Sequence, residues 1–119
     1  MNTSTQGMLA ETQAMQYLEQ KGYKVLLRNF RATGGEIDIV ALQKNTLIFV
    51  EVKQRRSQSF GGPQAAVTVA KQHKIARAAL QFLKQKKLPY TDIRFDVICI
   101  LPGKIEHIEN AFLPPRVNI

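Results

Sequence analysis

At 119 residues, 45% of them apolar, the chain has the size and composition of one globular domain with a single modest core. Its net charge of +8 favours a polyanionic partner, and no apolar run approaches the roughly 20 residues of a membrane span. The N-terminus lacks the basic-then-apolar order of a signal peptide. Cys99 is the only cysteine, which excludes an internal disulfide and a cysteine-rich metal site, so a cytoplasmic protein without membrane attachment is expected.

The first six residues are polar and expected to fray, as are the last six. A helix is predicted from about Gly7 to Lys21, with Thr3, Ser4 or Thr5 as caps. Met8, Met15 and Leu18 mark its buried stripe, and Glu11 falls on that stripe. A carboxylate there needs a partner: a site within the fold, a lysine, or solvent at the boundary. Gly22 ends the helix. Tyr23 to Phe30 reads as a first strand, with Tyr23, Val25 and Leu27 on one face. Gly34-Gly35 follows, as a flexible connection or as a point of close backbone approach.

Gly34 to Lys53 (GGEIDIVALQKNTLIFVEVK) reads as a β-hairpin, because apolar and polar residues alternate on both sides of Lys44-Asn45. A two-residue turn pairs Gln43 with Thr46, Asp38 with Glu51 and Glu36 with Lys53. A three-residue turn would shift this register by one. In the first register Ile37, Ile39, Ala41, Ile48, Val50 and Val52 share an apolar face suited to a helix-covered core. The other face runs from Val40, Leu42, Leu47 and Phe49 to Glu36, Asp38, Glu51 and Lys53. Adjacent carboxylates repel when both are ionised, so the pair suits a divalent cation. Oxygen ligands indicate Mg²⁺ or Mn²⁺ rather than zinc. Charge pairing on an ordinary surface strand is the alternative for any one of these residues.

Gln54 to Gly62 reads as a basic loop carrying Arg55 and Arg56, and Pro63 can start a short helical turn. Thr68 caps a second helix running to about Lys87, with Ile75, Ala79, Phe82 and Leu83 inward. His73 is expected at the surface. Leu88-Pro89 stops this helix. Asp92 to Leu101 is a strand buried on both faces, holding Cys99 as a small hydrophobe. Asp96 is expected to be structural, pairing Arg94 or a loop arginine, with support of the carboxylate site as the alternative. Lys104 to Glu109 is a short edge strand with His107 facing solvent, and Pro114-Pro115 lies in an extended tail. Residues 52 to 91 hold nine bases (Lys53, Arg55, Arg56, Lys71, Lys74, Arg77, Lys84, Lys86, Lys87) and no acid, so the positive excess begins at the hairpin lysine. A basic stretch beside a carboxylate pair suits nucleic acid; a solvated lysine-rich helix face is the bland alternative.

Asp38 followed by Glu51-Val52-Lys53 on the next strand resembles the D…EXK signature of the PD-(D/E)XK nucleases. The wider series resembles the bacterial YraN family more closely: Glu11, Gly22-Tyr23, Arg28-Asn29, Gly35-Glu36-Ile37-Asp38, Phe49 to Lys53, Arg56, Pro63, Ala66-Val67, Lys71 and Arg94-Phe95-Asp96. This likeness spans roughly Gly7 to Phe112, and the family is similar to archaeal Holliday-junction resolvases. It implies one α/β domain of restriction-endonuclease-like fold, in the order α-β-β-β-α-β-β, with a mixed central sheet flanked by helices. It further implies Mg²⁺- or Mn²⁺-dependent hydrolysis of phosphodiester bonds in DNA, or RNA. Asp38, Glu51 and the Val52 carbonyl would hold the ion, Lys53 would act on the water or phosphate, and Glu36 or Glu11 would assist. A polar residue early in the second helix, Lys71 or Gln72, would order the site. Lys74, Arg77, Arg55 and Arg56 would track the backbone, and a homodimer is an open expectation. The resemblance leaves a catalytically silent nucleic-acid-binding module, or a protein-interaction domain, as alternatives.

Overall fold

The computed structural model describes residues 3–56 and 67–113, the first four as backbone only. The predicted turn at Pro63, most of the loop before it, Met1-Asn2 and the Pro114-Pro115 tail lie outside the described residues. Helix α1 spans Thr3–Gln20 and helix α2 Val69–Gln85; the strands are β1 Lys24–Ala32, β2 Gly35–Gln43, β3 Thr46–Gln54, β4 Asp92–Leu101 and β5 Lys104–Ile108. The predicted element order therefore holds. The strands form one sheet in the order β1-β2-β3-β4-β5. Only β3 and β4 are parallel, and α2 makes the crossover between them. No described helix is long and apolar enough to cross a membrane.

The sheet is buried on both faces. Ile39, Ala41, Ile48, Val50, Ile98 and Ile100 pack with Ala10, Ala14 and Leu18 of α1. Val40, Leu47, Phe49, Phe95 and Val97 pack with Ile75, Ala78, Ala79 and Phe82 of α2. The period-2 alternation of β2 and β3 thus feeds two cores. Thr68 caps α2 as expected, its hydroxyl accepting from the Lys71 amide at 3.2 Å.

The α1 stripe differs from the expected one. Leu18 is buried and Met15 packs beside it as expected, but the stripe continues through Ala14 and Ala10, and Met8 is 63% exposed. Met8 lies about 200° around the axis from Ala10. Small residues at every fourth position let this helix lie close to the sheet, and hydrophobicity alone overvalued methionine. The helix also begins earlier than predicted, at Thr3.

The strand β1 departs from simple alternation twice. Register shifts between Val25 and Leu27, and Asn29 takes a left-handed backbone with φ 55°. Leu27 consequently stays partly exposed, while Tyr23 is buried just before the strand. Beyond Asn29, Phe30 joins the α2-side core and meets the Phe82 ring edge-on at 5.4 Å. Its partner Ile37 goes with it, away from the face shared by Ile39 and Ala41. The Thr33-Gly34 turn brings Gly35 against α2, where a Cβ would stand 2.2 Å from the Lys74 carbonyl oxygen. Gly35 is therefore a point of close approach, as only glycine allows.

Asp96 organises the far side of the sheet and is structural, as expected. It is fully buried and accepts from Arg94 Nε and Nη2 at 2.8 Å, His107 Nε2 at 2.7 Å and the Asn110 amide at 2.9 Å. His107 is the correction here. Its side chain is 4% exposed, with Tyr17 Oη on Nδ1 at 3.2 Å. An isolated histidine among charged residues carries no sequence signal for a buried carboxylate on the neighbouring strand. Burial disfavours the Asp96 charge, but the His107, Arg94 and Asn110 hydrogen bonds outweigh it and hold the carboxyl below its ordinary pKa.

Replacing Gly35 by Ala should cost about 1–3 kcal/mol, because backbone rather than a flexible side chain obstructs the new methyl group; urea denaturation checks this. Asp96→Ala should cost about 3–5 kcal/mol at pH 7. Its folded-state carboxyl titrates below the unfolded one, so its stabilisation is present above about pH 4 and fades as pH falls further. The wild-type and variant denaturation curves should therefore converge in acid.

Candidate active site at the opening of the sheet

The hairpin register is the one given by a two-residue turn. Gln43 pairs with Thr46 and the ladder runs to Ile39 with Val50. There the described ladder ends. Beyond it β2 stays with β1, through Ile37 with Phe30 and Glu36 with Arg31. In the same interval β3 stays with β4, through Glu51 with Val97 and Lys53 with Cys99. The sheet thus opens between its second and third strands. Asp38 lies in the opening, and its Oδ2 accepts the Val52 amide at 2.8 Å. A side chain has taken the place of a ladder carbonyl.

Glu51 is buried at 5% exposure. Lys71 Nζ lies 2.7 Å from its Oε1 and Lys53 Nζ 3.6 Å from the same oxygen. Burial, then the neighbouring Glu51 charge, pushes the Asp38 carboxyl up to about 7, against the Val52 hydrogen bond. Burial, followed by Lys71, lowers the Lys53 pKa. Burial also opposes the Lys71 charge, but its bonds to Glu51 and Lys53 keep its pKa above the ordinary value. Glu11 reaches the same neighbourhood from α1, and burial raises its pKa against the pull of Asn29 and Arg28. Its Oε1 is buried without a hydrogen-bond partner, with Arg28 Nη2 3.8 Å away.

The structure therefore brings Asp38, Glu51, Lys53 and Lys71 together, with Glu11 nearby. It does not join Glu36 to Lys53. Glu36 lies with Arg31 at 3.7 Å, because β2 follows β1 beyond the opening. Lys71 and Lys74 line a cavity of about 720 Å³ with Arg31, Gly34, Gly35 and Glu36. Arg77 stands beside Gly34 at its edge. Arg55 and Arg56 line a different groove, with Gln54, Pro102 and Gly103. The Gln72 side chain donates to the Val67 carbonyl at 3.2 Å, so it braces the start of α2. Arg28 and Arg31 received no role from the sequence. Recognising β1 and β2 as a hairpin would have placed Arg31 opposite Glu36.

Among the described residues no three His, Cys, Asp or Glu side chains form a metal-holding group. The donor set is the Asp38–Glu51 pair, with Glu11, whose Oε1 lacks a hydrogen-bond partner, nearby. Two carboxylates completed by water and substrate oxygens match the open coordination of Mg²⁺. The residues fit such an ion.

An α/β domain whose sheet opens on a carboxylate pair and two lysines is the class of protein that the fold and site define. The model of an uncharacterised protein family, UPF0102, matches residues 10–100. A UPF0102 protein of Sulfurihydrogenibium is 44% identical over 112 residues, covering 94% of this chain and 97% of its own. One of Thermodesulfovibrio yellowstonii is 48% identical over 106 residues, covering 89% and 94%. One of Geobacter sulfurreducens is 49% identical over 111 residues, covering 89% and 87%. The chain belongs to the UPF0102 family, the YraN family of the sequence resemblance.

The raised Asp38 pKa has a thermodynamic consequence. The folded protein keeps a proton on Asp38 that the unfolded chain releases, so stability falls as pH rises from about 4 to about 7. Asp38→Asn keeps an acceptor for the Val52 amide and removes the charge. Without divalent ions it should exceed the wild type in stability by on the order of 2 kcal/mol at pH 8 and match it at pH 4. Denaturant titration at both pH values measures the difference.

Proposed function

We propose that this chain is a metal-dependent DNA endonuclease on a restriction-endonuclease-like scaffold. It hydrolyses phosphodiester bonds and recognises substrate shape, as in branched or single-stranded DNA. The observation carrying this reading is that Asp38 and Glu51 meet where the sheet opens, with Lys53 and Lys71 on Glu51 and a basic cavity alongside. The α-β-β-β-α-β-β order around a mixed sheet agrees with it.

Asp38, Glu51 and the Val52 carbonyl would hold Mg²⁺ or Mn²⁺, which supplies charge neutralisation and a more acidic bound water. Asp38, with its pKa near 7, releases its proton readily once a cation stands beside it. Lys53 orients the attacking water or stabilises charge on the phosphate. Burial and the neighbouring Lys71 lower its pKa. Lys71, Lys74, Arg31 and Arg77 contact the backbone at the cavity, and contacts of this kind position a substrate without reading its bases. RNA offers the same phosphate chemistry, and a homodimer would present one centre to each strand.

A second reading, a nucleic-acid-binding module without catalysis, is favoured by one observation: two lysines already neutralise Glu51. Linear, single-stranded, flapped and four-way DNA with Mg²⁺ or Mn²⁺ separates the two. The wild type should cleave at least one substrate, Asp38→Asn none, and Lys53→Met should be slower by about a hundredfold or more. Equal cleavage by wild type and Asp38→Asn would expose a contaminant. Salt-sensitive binding without cleavage would leave the binding module as the correct description.

A further inference from the structure

The two cations on Glu51 are held differently. Lys53 belongs to β3, two residues along from Glu51, and β3 remains paired with β4 through both residues. Lys71 arrives from the first turn of α2 on a flexible four-carbon stem, and its side chain is 40% exposed. It also lines the 720 Å³ cavity with Arg31 and Lys74. One ammonium therefore has two destinations within reach, a buried carboxylate oxygen and a basic cavity. At 2.7 Å from Oε1 it occupies the approach by which a divalent ion would reach that oxygen. The two cations repel, so the oxygen serves one of them well.

We propose that Lys71 is an exchangeable internal cation. It neutralises Glu51 until a divalent ion arrives, then turns into the adjoining cavity and holds a phosphate of the nucleic acid. This rests on the metal-dependent reading above and adds a regulatory step to the same site. Freed from Glu51, the ammonium raises the affinity of the cavity for a polyanion; drawn to a phosphate, it leaves Glu51 open to the ion. By linkage the two ligands then favour each other equally. Lys53, fixed on its strand, takes no part in the exchange.

Wild type, Lys71→Met, Lys53→Met and a distant charge control, Lys104→Met, would be compared after circular dichroism shows each is folded. Mn²⁺ alone is titrated calorimetrically. A labelled DNA duplex is titrated with and without Mn²⁺ by stopped-flow anisotropy, read before turnover. In the wild type Mn²⁺ should tighten DNA binding about tenfold or more. In Lys71→Met, Mn²⁺ alone should bind at least about threefold tighter, and the gain in DNA affinity should fall below about threefold. Lys53→Met removes an equal charge from the same oxygen and should keep the coupling, as should Lys104→Met. Coupling retained in Lys71→Met, or Mn²⁺ binding there that is unchanged or weaker, overturns the exchange while the metal site stands. No Mn²⁺ binding by any of the four proteins overturns the metal-site reading, and the exchange with it.

Discussion

The hydrogen bond from the Val52 amide to Asp38 Oδ2 is the interaction around which the site forms. A β-ladder satisfies its amides with carbonyls of the neighbouring strand, and every buried amide needs some acceptor. Beyond Ile39 and Val50 the described ladder of β2 and β3 ends, and the Asp38 carboxylate serves Val52 instead. This lets the strands part without orphaning a buried donor. Each stays anchored on its other side, β2 to β1 and β3 to β4, so the opening does not unravel the sheet.

The second helix brings further charge to this opening. Its backbone lies against Gly35 at one end of the opening, and its Lys71 reaches Glu51 at the other. Alanines at positions 76, 78 and 79 let it sit close over the sheet, and Phe82 locks it against Phe30 and Phe49. As the crossover between the parallel strands β3 and β4, this helix brings Lys71 to Glu51 and Lys74 to the adjoining cavity.

The chain contains a buried aspartate and a half-buried one with opposite electrostatics. Asp96 has strong donors on both oxygens and ionises more readily than a free carboxyl. Asp38 has the Val52 amide and the adjacent Glu51 charge, and ionises less readily. The first arrangement stabilises the fold and joins α1, β4 and β5 through Tyr17, Arg94 and His107. The second costs stability at neutral pH, where the folded protein binds a proton that the unfolded chain releases.

The sequence by itself determined the order of the secondary elements, narrowed the hairpin register to two and singled out Asp38, Glu51 and Lys53. Those depend on period-2 and period-3.6 patterns, turn chemistry at Lys44-Asn45 and the Thr68 cap, all of which act over a few residues. It also located the basic stretch, since charge is written in the composition. Tertiary structure decided the rest. Whether Glu36 faces Lys53 or Arg31 depended on where β2 leaves β3, and whether Ile37 serves one core or the other depended on the left-handed Asn29 of the neighbouring strand. His107 is buried because Asp96 of the adjacent strand and Tyr17 of the remote first helix converge on it. Lys71 meets Glu51 only after a crossover helix folds back over the sheet. Pairings between remote segments carry no local signal; packing selects them when buried polar groups must find partners.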